Sequence, residues 1–573
     1  MIQNTEKQLG QILVGDGKLD PDDLEMALRD HRKTGERIGE ILIKMNLVAV
    51  EDVLKAVASQ LSIPYVKLSE IVIEKEIIEE IPAKLVKHYG LMPVDKFNGT
   101  LRVAVSDPLD IHTIDDLRML LKIEVEPVVS APKEINDAIR RYYGIGAETV
   151  EEMMDESGDG SQVEVEGGEV EDIDEMAEDA SIVRFVNQII HEALSDRATD
   201  IHIEPLEKEL RIRYRIDGVL YEAAIPGTIR RFQNAIISRV KIMADMNIAE
   251  RRLPQDGKIK VKMGEKEYDF RVSSVPTPYG ESIAIRILSR DSELCTLDRL
   301  GFEDQHITIL RDMIVKPHGI ILITGPTGSG KSTTLYASLS EINSVDKKII
   351  TVEDPIEYRI PGVTQIQIVP NIGLTFARIL RTLLRQDPDV IMVGEIRDQE
   401  TAEITIRTAL TGHLVFSTIH TNDACGAVTR LLDMGIEPFL VSSSVEGIIA
   451  QRLVRVLCPE CKASYQPRPD LISRLNAKNE DIDDATFFRP VGCEKCRYTG
   501  YHGRTAIYEM VQLNESFRRM VVDREPANVL RKEAIKWGMK PIRLAGWHKV
   551  KSGLTTVDEV MRVTMEDEFA RNE

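Results

Sequence analysis

The chain has 573 residues, 43% of them hydrophobic and 29% charged, with a formal net charge of −21. One hydrophobic core does not organise that length, so three or four domains are expected, and no apolar run approaches the roughly 18 residues that span a bilayer. Fifteen acidic groups fall in residues 148–179, which hold no Lys or Arg; the remainder is only mildly acidic and lacks a basic stripe that could track phosphates, so nucleic acid is not an expected partner.

Residues 1–62 carry an internal repeat at an offset of 29, with Leu9-Gly10 lying on Ile38-Gly39 and Leu24, Leu28 on Val53, Val57. Each copy reads as a Gly-containing helix, a turn at Gly17 or Asn46, and a second helix with apolar spacing of three and four, so two copies bury one shared face. Residues 63–146 read as a compact α/β domain, with a strand over 100–105 and helices over 113–121 and 132–142. Residues 147–180 contain the acidic run, are too polar to offset ordering entropy and read as a flexible tether.

A second domain is expected over 181–290. Its helix begins at Ser181, and over 210–216 the apolar Leu210, Ile212, Tyr214 and Ile216 alternate with Arg211, Arg213 and Arg215, closed by an Asp217-Gly218 hairpin turn. Three guanidinium groups on one strand face fit either a solvated surface or an anion-facing wall.

In the last domain, 291–573, Ile320-Ile-Leu-Ile323 reads as a buried parallel strand. It runs into Gly325-Pro326-Thr327-Gly328-Ser329-Gly330-Lys331-Ser332-Thr333, a complete G-x-x-x-x-G-K-S loop. The glycines let successive backbone N–H groups turn inward around the β-phosphate of ATP, Lys331 reaches the β and γ oxygens, and Ser332 is placed to hold magnesium. A Gly-rich turn without a ligand would lack this strand–loop–helix context. Two acidic segments follow at strand ends, Ile350-Thr-Val-Glu353-Asp354-Pro-Ile-Glu357 and Val390-Ile-Met-Val-Gly-Glu395-Ile-Arg-Asp398. Glu395 emerges at the carboxyl end of its strand, the customary ligand edge of an α/β sheet, although Gly-Glu stands where many P-loop proteins have Asp.

Cys458-Pro-Glu-Cys461 and Cys493-Glu-Lys-Cys496 are two C-x-x-C pairs separated by 31 residues. Four thiolates suit a closed, structural zinc site over 455–500; a redox dithiol is the rival reading. Cys295 and Cys425 read as small buried hydrophobes. The first seven residues have no apolar signal core, and with metal rather than disulfide as the expected cysteine chemistry a reducing, cytoplasmic compartment is expected.

These motifs together resemble one family, the type II secretion ATPases (general secretion pathway protein E) and their type IV pilus relatives, along nearly the whole chain. Val352 to Tyr358 is similar to the family's Asp box, Leu384 to Asp398 to its Walker B segment, and Thr411-Gly-His413 through His420-Thr-Asn-Asp423 to its His box. The resemblance implies a RecA-like ATPase domain preceded by a smaller PAS-like α/β domain. It implies Glu357 as general base, Glu395 as Walker B acid, and His420 as the residue coupling nucleotide state to subunit shape. It also implies a homohexamer in which Arg271 and Arg286, with Arg215 as a further candidate, complete a neighbouring subunit's site. Asp200, His202 and Glu204 then read as a family signature at a domain edge rather than as metal ligands.

The four-cysteine element occurs in secretion and pilus-extension ATPases and is missing from retraction ATPases. Ser332-Thr-Thr-Leu-Tyr and Ile419-His-Thr-Asn-Asp-Ala-Cys-Gly-Ala are closer to the secretion branch. The expected role is therefore driving pseudopilus assembly through an inner-membrane platform protein, with peripheral attachment to that membrane; pilus extension is the alternative, and a nucleotide-binding regulator without turnover is the rival of another class. The repeat at 1–62 resembles a cyclic di-GMP-binding module, with Arg37-Ile-Gly39 and Gln60 in the second copy. The first copy departs, with Gln8 and Asp30-His31 at the matching positions, and losing a guanidinium removes a bidentate phosphate contact. Docking to a membrane-anchored partner is therefore the role expected of this module, with cyclic di-GMP binding as the alternative.

Overall fold

The computed structural model describes residues 2–45, 47–78, 80–144, 149, 150, 153, 180–263, 266–289, 296–468 and 485–564. Most of the expected tether, the expected domain end at Gly146, and Cys295 lie outside the described residues. The chain divides into two compact units, Met1–Ile259 with Phe270–Ile287, and Lys260–Asp269 with Leu288–Glu573. Among the described residues, no helix is long and apolar enough to cross a membrane.

In the first unit the repeat folds as four helices, Ile2–Gly15, Pro21–Thr34, Ile38–Lys44 and Val50–Leu61. The glycine in each copy has the same packing reason. A Cβ on Gly10 would lie 2.3 Å from Leu24 Cδ1, and a Cβ on Gly39 would lie 2.9 Å from Val53 Cγ1, so each copy closes its two helices over the residue that the repeat places in register. Leu9, Leu13, Ile38, Ile41 and Leu42 fill the shared core. A three-stranded sheet follows, in the order β1 (Met92–Phe97), β2 (Thr100–Val105), β3 (Val125–Val129), flanked by the helices Ile111–Leu121 and Pro132–Tyr142.

The helix Ala180–Ser195 then leads into β4 (Ala198–Pro205), β5 (Leu210–Ile216), β6 (Val219–Glu222), β7 (Gln255–Met263), β8 (Lys266–Thr277) and β9 (Gly280–Ser289), joined as a six-stranded sheet in the order β6-β5-β4-β9-β8-β7. Along β5 buried and half-buried positions alternate without a break. Asp217 and Gly218 take φ of 48° and 87°, the doubly left-handed turn that matches strand twist in a two-residue hairpin.

The second unit is built on a seven-stranded sheet. Its strands are β10 (Gly319–Thr324), β11 (Ile349–Glu353), β12 (Thr364–Gln367), β13 (Val390–Val393), β14 (Leu414–Ile419), β15 (Val445–Leu457) and, after a short β16 (Ala463–Tyr465) and β17 (Phe487–Arg489), β18 (Tyr501–Gln512). The order is β12-β11-β13-β14-β10-β15-β18. All neighbours are parallel except β15 and β18. Every residue of β10, β13 and β14 is buried, as expected for strands covered on both faces by crossover helices. Because the central strands are parallel, their carboxyl ends share one edge, where the candidate residues gather.

Candidate nucleotide and zinc sites

The phosphate loop leaves β10 at Thr324. Gly325, Gly328 and Gly330 take φ of 149°, 78° and 86°, a region closed to most side-chain-bearing residues, and a Cβ on Gly325 would lie 2.5 Å from the Gln451 carbonyl oxygen. Gly330 is the N-cap of the helix Lys331–Ile342 and supplies no side-chain hydrogen bond, whereas Thr375, Asp398 and Asp423 cap the helices that follow them. The first turn at Lys331 therefore presents N–H groups and the positive end of the helix dipole without a built-in acceptor, an anion site by construction. The Ser329 hydroxyl, buried in the same loop, has no hydrogen-bond partner among the described residues.

Lys331 Nζ donates to the carbonyls of Gly325 and Pro326 at 2.9 and 3.0 Å. Burial lowers its pKa, Arg452 lowers it further, and Glu395 opposes them. Phosphate arriving at the loop would favour the ammonium form. Pro326, Thr327, Gly328 and Ser332 are exposed and Thr333 is half-buried, so the Ser332 hydroxyl is open to a cation. The donor set fits ATP with magnesium.

Glu395 lies at the same edge. Gly394 precedes it because the backbone there has no room: its N–H donates to the Val352 carbonyl at 2.8 Å, and a Cβ would meet that same oxygen at 3.1 Å. The Gly-Glu pair thus places the acid two residues beyond the end of β13, one further than an Asp directly after the strand would be. The Glu395 side chain is only 12% exposed and both its oxygens have nitrogen neighbours, Oε1 at 2.5 Å from Arg397 Nη2 and Oε2 at 3.3 Å from His420 Nε2. His413, by contrast, bonds its own turn through the Thr408 carbonyl at 2.9 Å.

The three acids of the other segment are in different states. Glu353 is buried at the end of β11, where it accepts from Tyr336, from Thr351 Oγ1 at 2.5 Å and from Gln365 Nε2 at 3.1 Å. It is a structural anchor. Asp354 is exposed, and Glu357 is half-buried, its main-chain N–H donating to the Tyr336 hydroxyl at 3.2 Å. Tyr336, on the helix after the phosphate loop, therefore positions the segment that carries Glu357.

Two site residues escaped the sequence reading. Gln451 and Arg452, on β15, are 1% and 8% exposed. Gln451 Nε2 donates to the Ser329 carbonyl at 2.7 Å, and Thr334 Oγ1 donates to Gln451 Oε1 at 2.8 Å. Arg452 Nη2 donates to the Asn422 carbonyl at 2.9 Å. The available signal was two polar residues inside the otherwise apolar run Gly447 to Val454.

In the first unit the strand arginines meet acids across β4. Register pairs Asp200 with both Arg215 and Arg286, and the carboxylate stands 3.5 and 3.1 Å from their Nε atoms. Glu204 accepts from Arg211 at 3.1 Å and from Arg213 at 2.7 Å. The carboxylates of Asp200 and Glu204 are thus bound by guanidinium groups, and burial holds the His202 imidazole below its ordinary pKa. Arg286 is 59% exposed and Arg271 half-buried.

The four cysteines converge. Cys458–Cys493, Cys461–Cys496 and Cys493–Cys496 have Sγ separations of 3.7 Å, and all four Sγ atoms lie within 4.8 Å of one another. A tetrahedron with Zn–S bonds of about 2.3 Å has edges of about 3.8 Å, so the set fits zinc. The N–H of Gly492 donates to Cys461 Sγ and that of Gly500 to Cys496 Sγ, both at 3.3 Å, which orients the sulfurs and tempers their charge. The cluster sits where the chain leaves β15 and returns to β18, closing the base of that excursion. Cys425 is fully buried in the apolar core.

A RecA-like sheet, an uncapped phosphate loop and an acid at the parallel strand edge define a P-loop ATPase. The sequence profile of the type II/IV secretion system proteins matches residues 175–562, and the chain belongs to that family, as an ATP-hydrolysing member related to type II secretion protein E and to pilus assembly ATPases. It is 44% identical to the type IV pilus assembly ATPase PilB of Myxococcus xanthus, over 98% of this chain and 100% of that protein. It is 41% identical to type II secretion system protein E of Xanthomonas campestris, over 98% and 99%. Among solved structures, the pilus retraction motor PilT with bound ADP is 27% identical, covering 66% of this chain and 97% of that one with a TM-score of 0.45. An MshEN domain profile matches residues 61–149, the stretch with the three-stranded sheet, while the helical repeat bearing Arg37 and Gln60 precedes it.

Proposed function

We propose that this chain, as a ring of six, couples ATP hydrolysis to pseudopilus assembly and protein export in a type II secretion system. The observation that carries the motor reading is the meeting of Lys331, Glu395 and His420 at one strand edge. The loop amides and Lys331 bind and orient the β and γ phosphates. Ser332 would hold magnesium, which would supply positive charge to the phosphate oxygens. Glu357 accepts the proton of the attacking water, and Glu395, the Walker B acid, holds Arg397 and His420. His420, touching Glu395, passes the state of the site to the subunit's shape. Arg271 and Arg286 reach a neighbouring subunit's site and neutralise charge on the transferred phosphoryl group.

The branch assignment rests on the residues around Ser332 and His420. Pilus extension is the second reading, favoured by the 44% identity to a PilB over 98% of the chain. An inner-membrane platform protein is the partner through which force reaches the fibre. Cyclic di-GMP binding is assigned to the front region on the MshEN match, with docking to a membrane-anchored protein as its other role; Arg37 there stands 2.7 Å from Asp107. Inactivating the gene in its host separates the branches. The secretion reading expects lost export of extracellular proteins with surface pili retained; lost pili with normal export would transfer the chain to the pilus branch.

A further inference from the structure

We infer that Gln451 and Arg452 are positioning residues of the ATPase site, a strut that joins the phosphate loop to the segment presenting His420 to Glu395. The inference rests on the roles given above to those two residues. β10 lies between β14 and β15, with Thr324 in register with Ala450, so the next two residues of β15 run beside the loop as it departs. Gln451 bonds both parts of the phosphate grip, the Ser329 carbonyl in the loop and the Thr334 hydroxyl in the helix that follows. Its neighbour works in the other direction. Arg452 Nη1 donates to the Gln451 carbonyl at 3.0 Å, and its Nη2 reaches the Asn422 carbonyl at 2.9 Å and Asn422 Oδ1 at 3.4 Å.

Asn422 is two residues beyond His420. Between them, the Thr421 N–H donates to Thr324 Oγ1 at 2.8 Å, so the segment crosses the end of β10 on its way to β15. Two ties therefore hold the His420 segment, one at Thr324 and one at Arg452. The phosphate loop is held from behind by the residue adjacent to Arg452.

A buried guanidinium is costly unless an anion compensates it. Among the described residues the hydrogen-bond acceptors of Arg452 are two carbonyls and an amide oxygen; the carboxylates of Glu509 and Asp423 oppose the cost of its burial through their charge, and it adds its own charge to the field acting on Lys331. Lys331 and Arg452 thus both bear on the loop that would receive a polyanion. Arrival of the triphosphate changes the field at Arg452, and the pull on Asn422 carries that change to His420.

The test uses the assembled protein, a fluorescent ATP analogue for equilibrium binding, and phosphate release for turnover. Arg452→Ala is expected to lower kcat roughly 10–100-fold, the usual range for a supporting residue, with analogue affinity changed by less than about threefold. Gln451→Leu is expected to show the reverse split, with weakened affinity as the dominant effect. In a His420→Ala background, Arg452→Ala should cost little more, because residues acting as one unit are non-additive. Full additivity of the two substitutions would overturn the strut. Should Arg452→Ala fail to fold, Arg452→Lys and Thr421→Val enter the same cycle. Lys331→Ala and His420→Ala alone report on the site itself: parental turnover in both would refute the underlying reading, whereas loss in both with an additive Arg452→Ala would refute only the strut.

Discussion

An Arg271→Ala assembly retains ATP binding and loses turnover by about 10³- to 10⁵-fold, the range for an arginine supplied to a phosphoryl-transfer site. The size follows from its proposed place: it meets the γ-phosphoryl group where charge develops, so its loss acts on the transition state more than on the bound ground state. Because the arginine is proposed to serve a neighbour, complementation is expected. Mixing Arg271→Ala subunits with Glu395→Gln subunits should restore part of the activity, since some interfaces then pair an intact Arg271 with an intact Glu395. Two inactive proteins that stay inactive when co-assembled would show that the arginine acts within its own subunit or not at all. Arg286, held at 3.1 Å from Asp200, should give a smaller effect of the same kind when replaced by Ala.

A Glu395→Gln protein binds ATP as its parent does and releases phosphate at least roughly 10²–10³ times more slowly. The amide keeps the size of the side chain and one acceptor oxygen, and removes the negative charge that Arg397 and His420 face at 2.5 and 3.3 Å. Single-turnover phosphate release measures this directly, with equilibrium binding of a fluorescent ATP analogue as control. Parental turnover in this variant would move the acidic role to Glu357 or Asp354.

The sequence was most legible where a local pattern has one physical solution. The phosphate loop and the Asp217-Gly218 turn each occupy a short stretch whose residue types allow little else, and the four cysteines form two short C-x-x-C pairs of the same kind. The helical repeat was readable because Gly10 and Gly39 face Leu24 and Val53, pairs that the offset itself aligns. β1 and β3 were harder to read, since each holds a proline, Pro93 and Pro127, a residue that argues against a strand interior; the register of β1 indeed shifts between Pro93 and Asp95. The support of the site was illegible for another reason. Gln451 lies 122 residues from the Ser329 carbonyl it binds, and no periodicity reports a contact across that distance. Likewise, nothing local separates Glu353, bound by Tyr336, Thr351 and Gln365, from the more accessible Glu357 three residues after Asp354.

The central claim is that the triphosphate is gripped by the amides between Gly325 and Ser332 together with Lys331. Its most direct test is phosphate release by purified wild-type and Lys331→Ala assemblies at saturating ATP and magnesium, measured side by side. Steady release by the parent and near-background release by the variant are expected; equal rates from the two would contradict the account.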